Sequence, residues 1–277
     1  KDPYRFINTK RANKLIYAEN HRNEARAIAA ESFVLLKNEH KTLPLIKSGK
    51  VAVIGPLANT RSNMPGTWSV AARLEKPATL VEGIQSVAGD NVEVVYAKGS
   101  NLTDDADLEQ RATMFGRDLF RDNRTAEELR TEALQIAAHS DVIVAALGES
   151  SEFSGESSSR TNLNIPDVQQ ELLKELVATG KPVVLVLFTG RPLTLSWESE
   201  NVPAILNVWF GGVNPSGKLA ATFPRNVGQI PIFYNHKNTG RPLNDEWFVK
   251  FRSNYIDVPN TPQYPFGYGL SYTSFSY

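Results

Sequence analysis

Five short apolar runs, rich in β-branched residues, constrain the fold of this 277-residue chain more than any other feature. They are Val51–Ile54, Val92–Tyr96, Val142–Leu147, Val183–Phe188 and Ala204–Trp209, and a glycine closely follows each run. Their near-continuous apolarity indicates strands that are covered on both faces, which is typical of a parallel sheet between helices. We therefore predict an α/β sandwich: an open, mostly parallel sheet of about five or six strands with helices on both faces. A closed barrel of eight strand–helix units would need more strands than the sequence offers.

Helical patterns lie between these runs. Thr125–Glu128 has the spacing of a capping box. The apolar stripe that follows it consists of Leu129, Ala133, Ile136 and Ala137. Pro166 and Asp167 predict the start of another helix, and Gly180 predicts its end.

The two ends of the chain have patterns of their own. A helix is predicted from about His21, with one apolar face formed by Ala25, Ile28, Ala29, Phe33 and Leu36. Residues 224–277 are rich in Pro, Asn, Gly and Tyr, which indicates a wrapping arm rather than a further strand–helix unit. The chain starts with a charged segment without Met or an apolar stretch, and we interpret this start as a cut within a longer protein.

Composition disfavours several classes of function. Thirty Lys and Arg balance thirty Asp and Glu, so we expect neither a nucleic acid nor an anionic membrane as partner. The longest apolar run, Val183–Phe188, is far shorter than the roughly 20 residues that cross a bilayer. There is no cysteine, and the four histidines share no metal-binding spacing, so we predict neither a metal site nor a cofactor. Phosphate-binding loops and the GxSxG signature of α/β-hydrolases are also missing.

Carboxylates cluster in the segment that follows the third run. Glu149, Glu152 and Glu156 lie there among small residues, and in open parallel sheets ligands bind beside the carboxyl ends of the strands. A partly buried Glu can protonate a leaving group, although such a segment can equally be solvated surface. Spacing alone does not choose among the three. In the loop after the first strand, Trp68 is either a sugar-stacking residue or a buried anchor.

Nine short motifs occur in order between residues 31 and 271: ESFVLLKN (31–38), LPL (43–45), VIGP (53–56), GTWS (66–69), GESSSR (155–160), GRP (190–192), NPSGKL (214–219), NTGRP (238–242) and YPFGYGLS (264–271). Together they resemble the family 3 glycoside hydrolases, of the bacterial periplasmic β-glucosidase type. The resemblance implies an enzyme in which an N-terminal (β/α)8 barrel supplies the nucleophile and this α/β sandwich supplies the acid/base. Glu156 matches the family's acid/base residue because it precedes a small-residue stretch that ends in Arg160.

The resemblance also implies a layout, a substrate and a location. Residues 1–20 would be a linker from the absent barrel, 21–245 the sandwich, and 246–277 an arm leading to an absent fibronectin-like domain. The reaction would be retaining, exo-acting hydrolysis of nonreducing-end β-D-glucosyl or related units in the periplasm or outside the cell, and the isolated chain would be inactive. Arg160, Glu152 and Trp68 would bind substrate or support Glu156, although a structural salt bridge would explain Arg160 as well. A helix usual in the family is missing between Gly212 and Val213, by deletion or by omission of a segment.

Two other readings of the sequence remain. One is a noncatalytic carbohydrate-binding or interaction module with the same fold, which the absence of an upstream barrel from the gene would favour. The other is a nucleotide-dependent α/β enzyme, which the missing phosphate-binding loops disfavour.

Overall fold

A six-stranded sheet forms the centre of the computed structural model. The structure describes residues 4, 8–66, 69, 73, 75–111, 121–155, 158–208, 216–237, 240 and 255–272. The strands are β1 Val34–Asn38, β2 Gly49–Ile54, β3 Val92–Ala97, β4 Val142–Gly148, β5 Val183–Phe188 and β6 Ala204–Val208. All five predicted strands are therefore present, and β1 is an addition.

The strand order in the sheet is β1-β6-β5-β4-β2-β3. Strands β2 to β6 are mutually parallel, with Val53 of β2 paired with Val144 of β4, whereas β1 pairs antiparallel with the edge of β6. Because the five parallel strands point the same way, the segments that follow them emerge at one edge of the sheet.

Seven α-helices are described. They are α1 Thr9–Leu15, α2 Glu19–Glu31, α3 Leu80–Ala88, α4 Ala106–Arg111, α5 Ala126–Ala138, α6 Asp167–Ala178 and α7 Ser196–Asn201. The predicted capping box of α5 is confirmed: Thr125 Oγ1 accepts the main-chain N–H of Glu128, and the Glu128 carboxylate accepts the N–H of Thr125. Helix α6 starts at Asp167, and Gly180 follows its end with φ of 72°, as predicted.

The sheet separates two apolar layers. Alternate residues of β4 enter opposite layers, Ile143 and Leu147 into one and Val144 and Ala146 into the other. The first layer contains apolar side chains of α5 and α6, and the second contains Val81 of α3. Since both faces of the sheet are covered, the prediction of an α/β sandwich is confirmed.

The helix predicted from His21 through Leu36 is wrong in its second half. Helix α2 ends at Glu31, only Ala30 is buried on it, and Ile28 is 67% exposed. Phe33 and Leu36, predicted on the helix face, instead belong to the segment that forms β1, where Val34, Leu35 and Leu36 are all buried. The physical reason is long-range: the main chain of β1 pairs with the open edge of β6, which local periodicity does not reveal.

The segments after β6 pack back onto β1. Gly217 N–H donates to Phe33 O at 2.8 Å, and Leu270 pairs with Leu35. Beyond residue 216 the described residues contain one short 3-10 turn, Val227–Gln229, and isolated bridges such as Phe223 with Tyr264. The wrapping arm predicted for this region therefore has contacts with the sheet edge, while the gap after Gly212 lies outside the described residues. Within the described residues, no helix combines the length and apolar character needed to cross a bilayer.

Candidate active site

The segment that follows β4 starts with a buried carboxylate. Glu149 is 4% exposed, and its Oε1 accepts a hydrogen bond from Arg160 Nη1 at 2.6 Å. Its Oε2 accepts from Arg191 Nε at 3.2 Å and lies 3.1 Å from the Thr189 hydroxyl. One carboxylate thus joins the start of this segment to Arg160, at its far end, and to the neighbouring segment after β5.

Arg191, which follows β5, also binds main-chain groups of the segment after β4. Its Nη2 donates to the main-chain carbonyls of Phe153 and of Ser158, the latter at 2.8 Å. The guanidinium of Arg160 lies 5.2 Å from the centre of the Phe153 ring, within the range of cation–π attraction. Arginine side chains therefore contact both described parts of the segment, the part before residues 156 and 157 and the part after them.

The loop after β2 supports the segment from the other side. Asn63 Oδ1 accepts from Ser150 Oγ at 3.0 Å and from the main-chain N–H of Ser151 at 3.2 Å. The Ser150 hydroxyl oxygen in turn caps the short 3-10 helix Ser151–Phe153 by accepting the N–H of Glu152. The segment after β4 thus contacts the loops of both neighbouring strands.

Two glycines make these close approaches possible. Gly148 has φ of 132°, and a Cβ there would lie 1.9 Å from Phe188 O. At Gly190 a Cβ would lie 2.5 Å from Ser154 Oγ, so a larger residue would displace the segment after β4. Both positions therefore require glycine for steric reasons.

A second polar group lies after β3. The Asn101 side chain donates to Asp122 O at 3.0 Å and accepts the Asp122 N–H at 2.8 Å. The Arg124 guanidinium, bonded to the Asp122 carboxylate, holds the pKa of Asp122 at about 2. Arg124 also pairs with Glu132 at 2.8 Å, so this group is a set of internal ion pairs that orders the loop before α5.

An open pocket of about 390 Å³ lies beside Arg160. Asn162, Asp104 and Asp105 also line it. Its lining is mainly polar in residue type, which suits hydroxyl-rich ligands better than apolar ones. The described residues contain no cluster of three or more His, Asp or Glu side chains that a metal ion could use.

Comparison with known proteins identifies the family of this chain. The glycosyl hydrolase family 3 C-terminal domain matches residues 33–272. The chain belongs to glycosyl hydrolase family 3. It is 46% identical to a periplasmic β-glucosidase of Salmonella typhimurium, over 99% of this chain and 38% of that protein. It is 34% identical to a β-xylosidase of Formosa agariphila, over 94% of this chain and 35% of that protein.

Solved structures agree with the sequence relatives. A β-glucosidase from Listeria innocua in complex with gluconolactone superposes with a TM-score of 0.83 at 36% identity, covering 99% of this chain and 36% of the other. The same enzyme in complex with glucose also gives a TM-score of 0.83. This family 3 chain therefore spans little more than a third of the length of the relatives it matches. The family resemblance predicted from the motifs is confirmed.

The structure of the family 3 domain brings together some of the predicted site residues. Arg160 and Glu152 belong to the segment after β4; Arg160 is ion-paired with Glu149, and Glu152 is buried. The interpretation of this segment as solvated surface is wrong for Glu149 and Glu152 because both are buried. Glu156 and Trp68 lie outside the described residues, so their roles stay predictions.

Sequence reasoning missed three residues of the site. Asn63 and Arg191 contact the segment after β4, and Gln169 of α6 bonds to the end of β4. The GRP motif at residues 190–192 was a signal for Arg191, but the motif gives no partner. Asn63 and Gln169 had no such signal because the groups that they contact in the segment are distant in sequence.

Proposed function

We propose that this chain is the acid/base-supplying domain of a retaining, exo-acting β-glucosidase that acts on nonreducing-end β-D-glucosyl or related residues. The observation that carries the proposal is family membership over almost the whole chain, together with β-glucosidase relatives on both the sequence and the structure side. The β-xylosidase of Formosa agariphila supports the wider choice of related sugars. The Salmonella typhimurium relative, named a periplasmic β-glucosidase, supports a periplasmic or secreted location.

Glu156 is the proposed general acid/base. In a retaining mechanism one carboxylate attacks the anomeric carbon while a carboxylic acid about 5–5.5 Å away protonates the departing oxygen and later deprotonates water. Support for Glu156 comes from its motif and from its neighbours in sequence, since Phe153 and Ser158 are fixed beside the carboxyl ends of the parallel strands. Ligands of open parallel sheets bind at this edge.

The attacking carboxylate is proposed to belong to another part of a longer protein. The relatives are almost three times as long as the stretch they share with this chain, which leaves room for an N-terminal barrel. Residues 1–20 would then be a linker from that barrel, 21–245 the sandwich, and 246–277 an arm towards a further domain. The isolated 277-residue chain would have no turnover because it has only one of the two carboxylates.

We propose different roles for the other predicted site residues, Arg160, Glu152 and Trp68. Arg160 supports the segment through its ion pair with buried Glu149. Glu152 supports the segment from within, since it is buried in the short 3-10 helix. Trp68 is proposed to contact the sugar.

The test uses Glu156→Gln in the full-length protein with two aryl β-glucosides, one with a good leaving group and one with a poor one. Loss of the acid should lower kcat/KM for the poor leaving group by about 100-fold or more, because general acid catalysis typically contributes about 10²–10⁴-fold. The good leaving group needs little protonation, so its glycosylation step should change much less. Glu200→Gln, at an exposed position on α7, is the matched control and should leave both rates unchanged.

Other outcomes would contradict the proposal in separate ways. An equal loss on both substrates would argue against the acid role of Glu156. Release of nitrophenol from an aryl β-glucoside by the isolated 277-residue chain would show that no second carboxylate from elsewhere is needed. Sugar binding without turnover in the full-length protein would favour a noncatalytic carbohydrate-binding module.

A further inference from the structure

The guanidinium of Arg191 contacts three separate parts of the segment after β4. Nε donates to the Glu149 carboxylate at the start of the segment. Nη2 donates to the carbonyl of Phe153 and to that of Ser158 at 2.8 Å. The two carbonyls belong to residues that precede and follow Glu156 in sequence. The rigid guanidinium of Arg191 therefore links the described residues before Glu156 to those after it.

This arrangement needs an arginine. A guanidinium is planar and has donors on several edges, so it can bind a carboxylate and two carbonyls at once in fixed relative positions. A lysine ammonium is a single point on a flexible stem and would satisfy only part of the set. Arg191 is itself fixed, because its main-chain N–H donates to Thr189 Oγ1 at 3.1 Å and its side chain is only 17% exposed.

The ion-pair partner of Arg191 is buried more deeply than stability alone would favour. The side chain of Glu149 is 1% exposed and that of Arg160 is 12% exposed. Removing such charges from water costs about as much as their attraction returns, so apolar residues would stabilise the fold equally well. What the charges supply, and apolar residues do not, is direction: the guanidinium of Arg191 that pairs with Glu149 also donates to two main-chain carbonyls of the segment.

We propose that Arg191, oriented by Glu149, is a positioning residue for the general acid/base Glu156. Arg191 holds the carbonyls of Phe153 and Ser158, which precede and follow Glu156 in sequence, at a fixed separation. This inference rests on the proposed role of Glu156. Proton transfer requires heavy atoms within about 2.6–3.2 Å of each other, and a misplacement of about 1 Å can lower a rate about 100-fold.

The test compares Arg191→Lys with wild type in the full-length protein, on the same two aryl β-glucosides. We expect kcat/KM for the poor leaving group to fall about 10- to 100-fold, with a much smaller change for the good leaving group. Arg130→Lys is the matched control, because Arg130 of α5 pairs with Glu171 and Glu175 of α6 instead of with the segment after β4. Thermal melting establishes that each variant is folded at the assay temperature.

The decisive measurement adds Arg191→Lys to Glu156→Gln. If Arg191 acts through Glu156, the double variant should be no slower on the poor leaving group than Glu156→Gln alone, since the positioned group is already gone. Should Arg191→Lys not fold, Thr189→Val replaces it. This isosteric change removes the hydroxyl that contacts Glu149 and Arg191. It should lower kcat/KM selectively for the poor leaving group, by a smaller factor than Arg191→Lys.

Failures of the two proposals are distinguishable. An equal loss on both substrates in Arg191→Lys, no loss, or a further loss in the double variant would overturn the positioning role while leaving Glu156 as the acid. Absence of the leaving-group difference in Glu156→Gln itself would overturn the proposed function first, and the positioning role with it.

Discussion

The side chain of Gln169 binds both main-chain polar groups of Gly148. Its Oε1 accepts the Gly148 N–H at 2.8 Å, and its Nε2 donates to Gly148 O at 3.0 Å. The same Nε2 also donates to Leu102 O at 2.7 Å, in the segment after β3. Gln169 is completely buried on α6, so this amide fixes the last residue of β4 at the point where the candidate site starts.

Replacing Gln169 by Leu should destabilise the fold strongly. The substitution keeps a similar volume but leaves main-chain donors and acceptors buried without partners, and each such group costs about 1–3 kcal/mol. We expect the free energy of unfolding to fall by about 2–4 kcal/mol in urea titrations of the 277-residue chain. Gln135→Leu, at an exposed position on α5, should change it by less than about 0.5 kcal/mol. Equal effects of the two substitutions would refute the role of the amide.

The sheet was predictable because each parallel strand has a local signature. Val183–Phe188 and its counterparts are apolar on both faces and are closed by glycine, and all five become strands. Helix α5 was predictable for a similar reason, since its capping box and apolar stripe are contiguous in sequence. Strand β1 was not, because Val34–Leu36 is equally compatible with the end of an apolar helix face. Only the open edge of β6, more than 160 residues away, makes it a strand.

The location of the site was predictable from the sequence, but the hydrogen bonds and ion pairs within it were not. The rule that ligands bind beside the carboxyl ends of parallel strands selected the segment with Glu149 and Glu152. These two carboxylates differ from ordinary surface residues because they are buried. Their burial depends on which arginine side chains approach from other loops. The approach of Arg191 to Ser158 O joins two segments that are distant in sequence, and no spacing within either segment encodes it.

Neutralising Glu149 should be more harmful than neutralising a surface carboxylate. Glu149→Gln removes the carboxylate charge that pairs with the largely buried guanidinium groups of Arg160 and Arg191. Removal of one partner of a buried ion pair typically costs about 3–5 kcal/mol, and we expect about 3 kcal/mol in denaturant unfolding. Glu132→Gln removes a partner of Arg124 where both side chains are 42% exposed, and should cost less than about 1 kcal/mol. A loss at Glu149 no larger than at Glu132 would contradict a buried ion-pair role.

Gly148 should tolerate no side chain. An alanine Cβ would lie 1.9 Å from the carbonyl oxygen of Phe188, and these two residues pair in the ladder between β4 and β5. We expect Gly148→Ala to destabilise the chain by roughly 3 kcal/mol or more, because the backbone would have to separate locally. Gly180→Ala is the control for positive φ alone: φ is 72°, and no atom lies within 4 Å of the added Cβ. Gly180→Ala should lower the free energy of unfolding by about 1–2 kcal/mol. Comparable losses at both positions would show that the contact with Phe188 is not decisive.

Glu198 should make stability fall as the pH rises. It is 1% exposed on α7, and burial raises its pKa, although Gln170 Nε2 donates to its Oε1 at 3.0 Å. Because the folded-state pKa of this acid lies above the unfolded value, its contribution to stability is fully present below the unfolded pKa and is lost as the pH rises through the folded pKa. Glu198→Gln keeps the acceptor without the charge, so the melting temperature at pH 7 should rise by about 1–4 °C, with no gain at pH 4. Exposed Glu200→Gln should show no such difference; a melting temperature for Glu198→Gln that is unchanged or lower at pH 7 would mean that the buried carboxylate is stabilised as the anion.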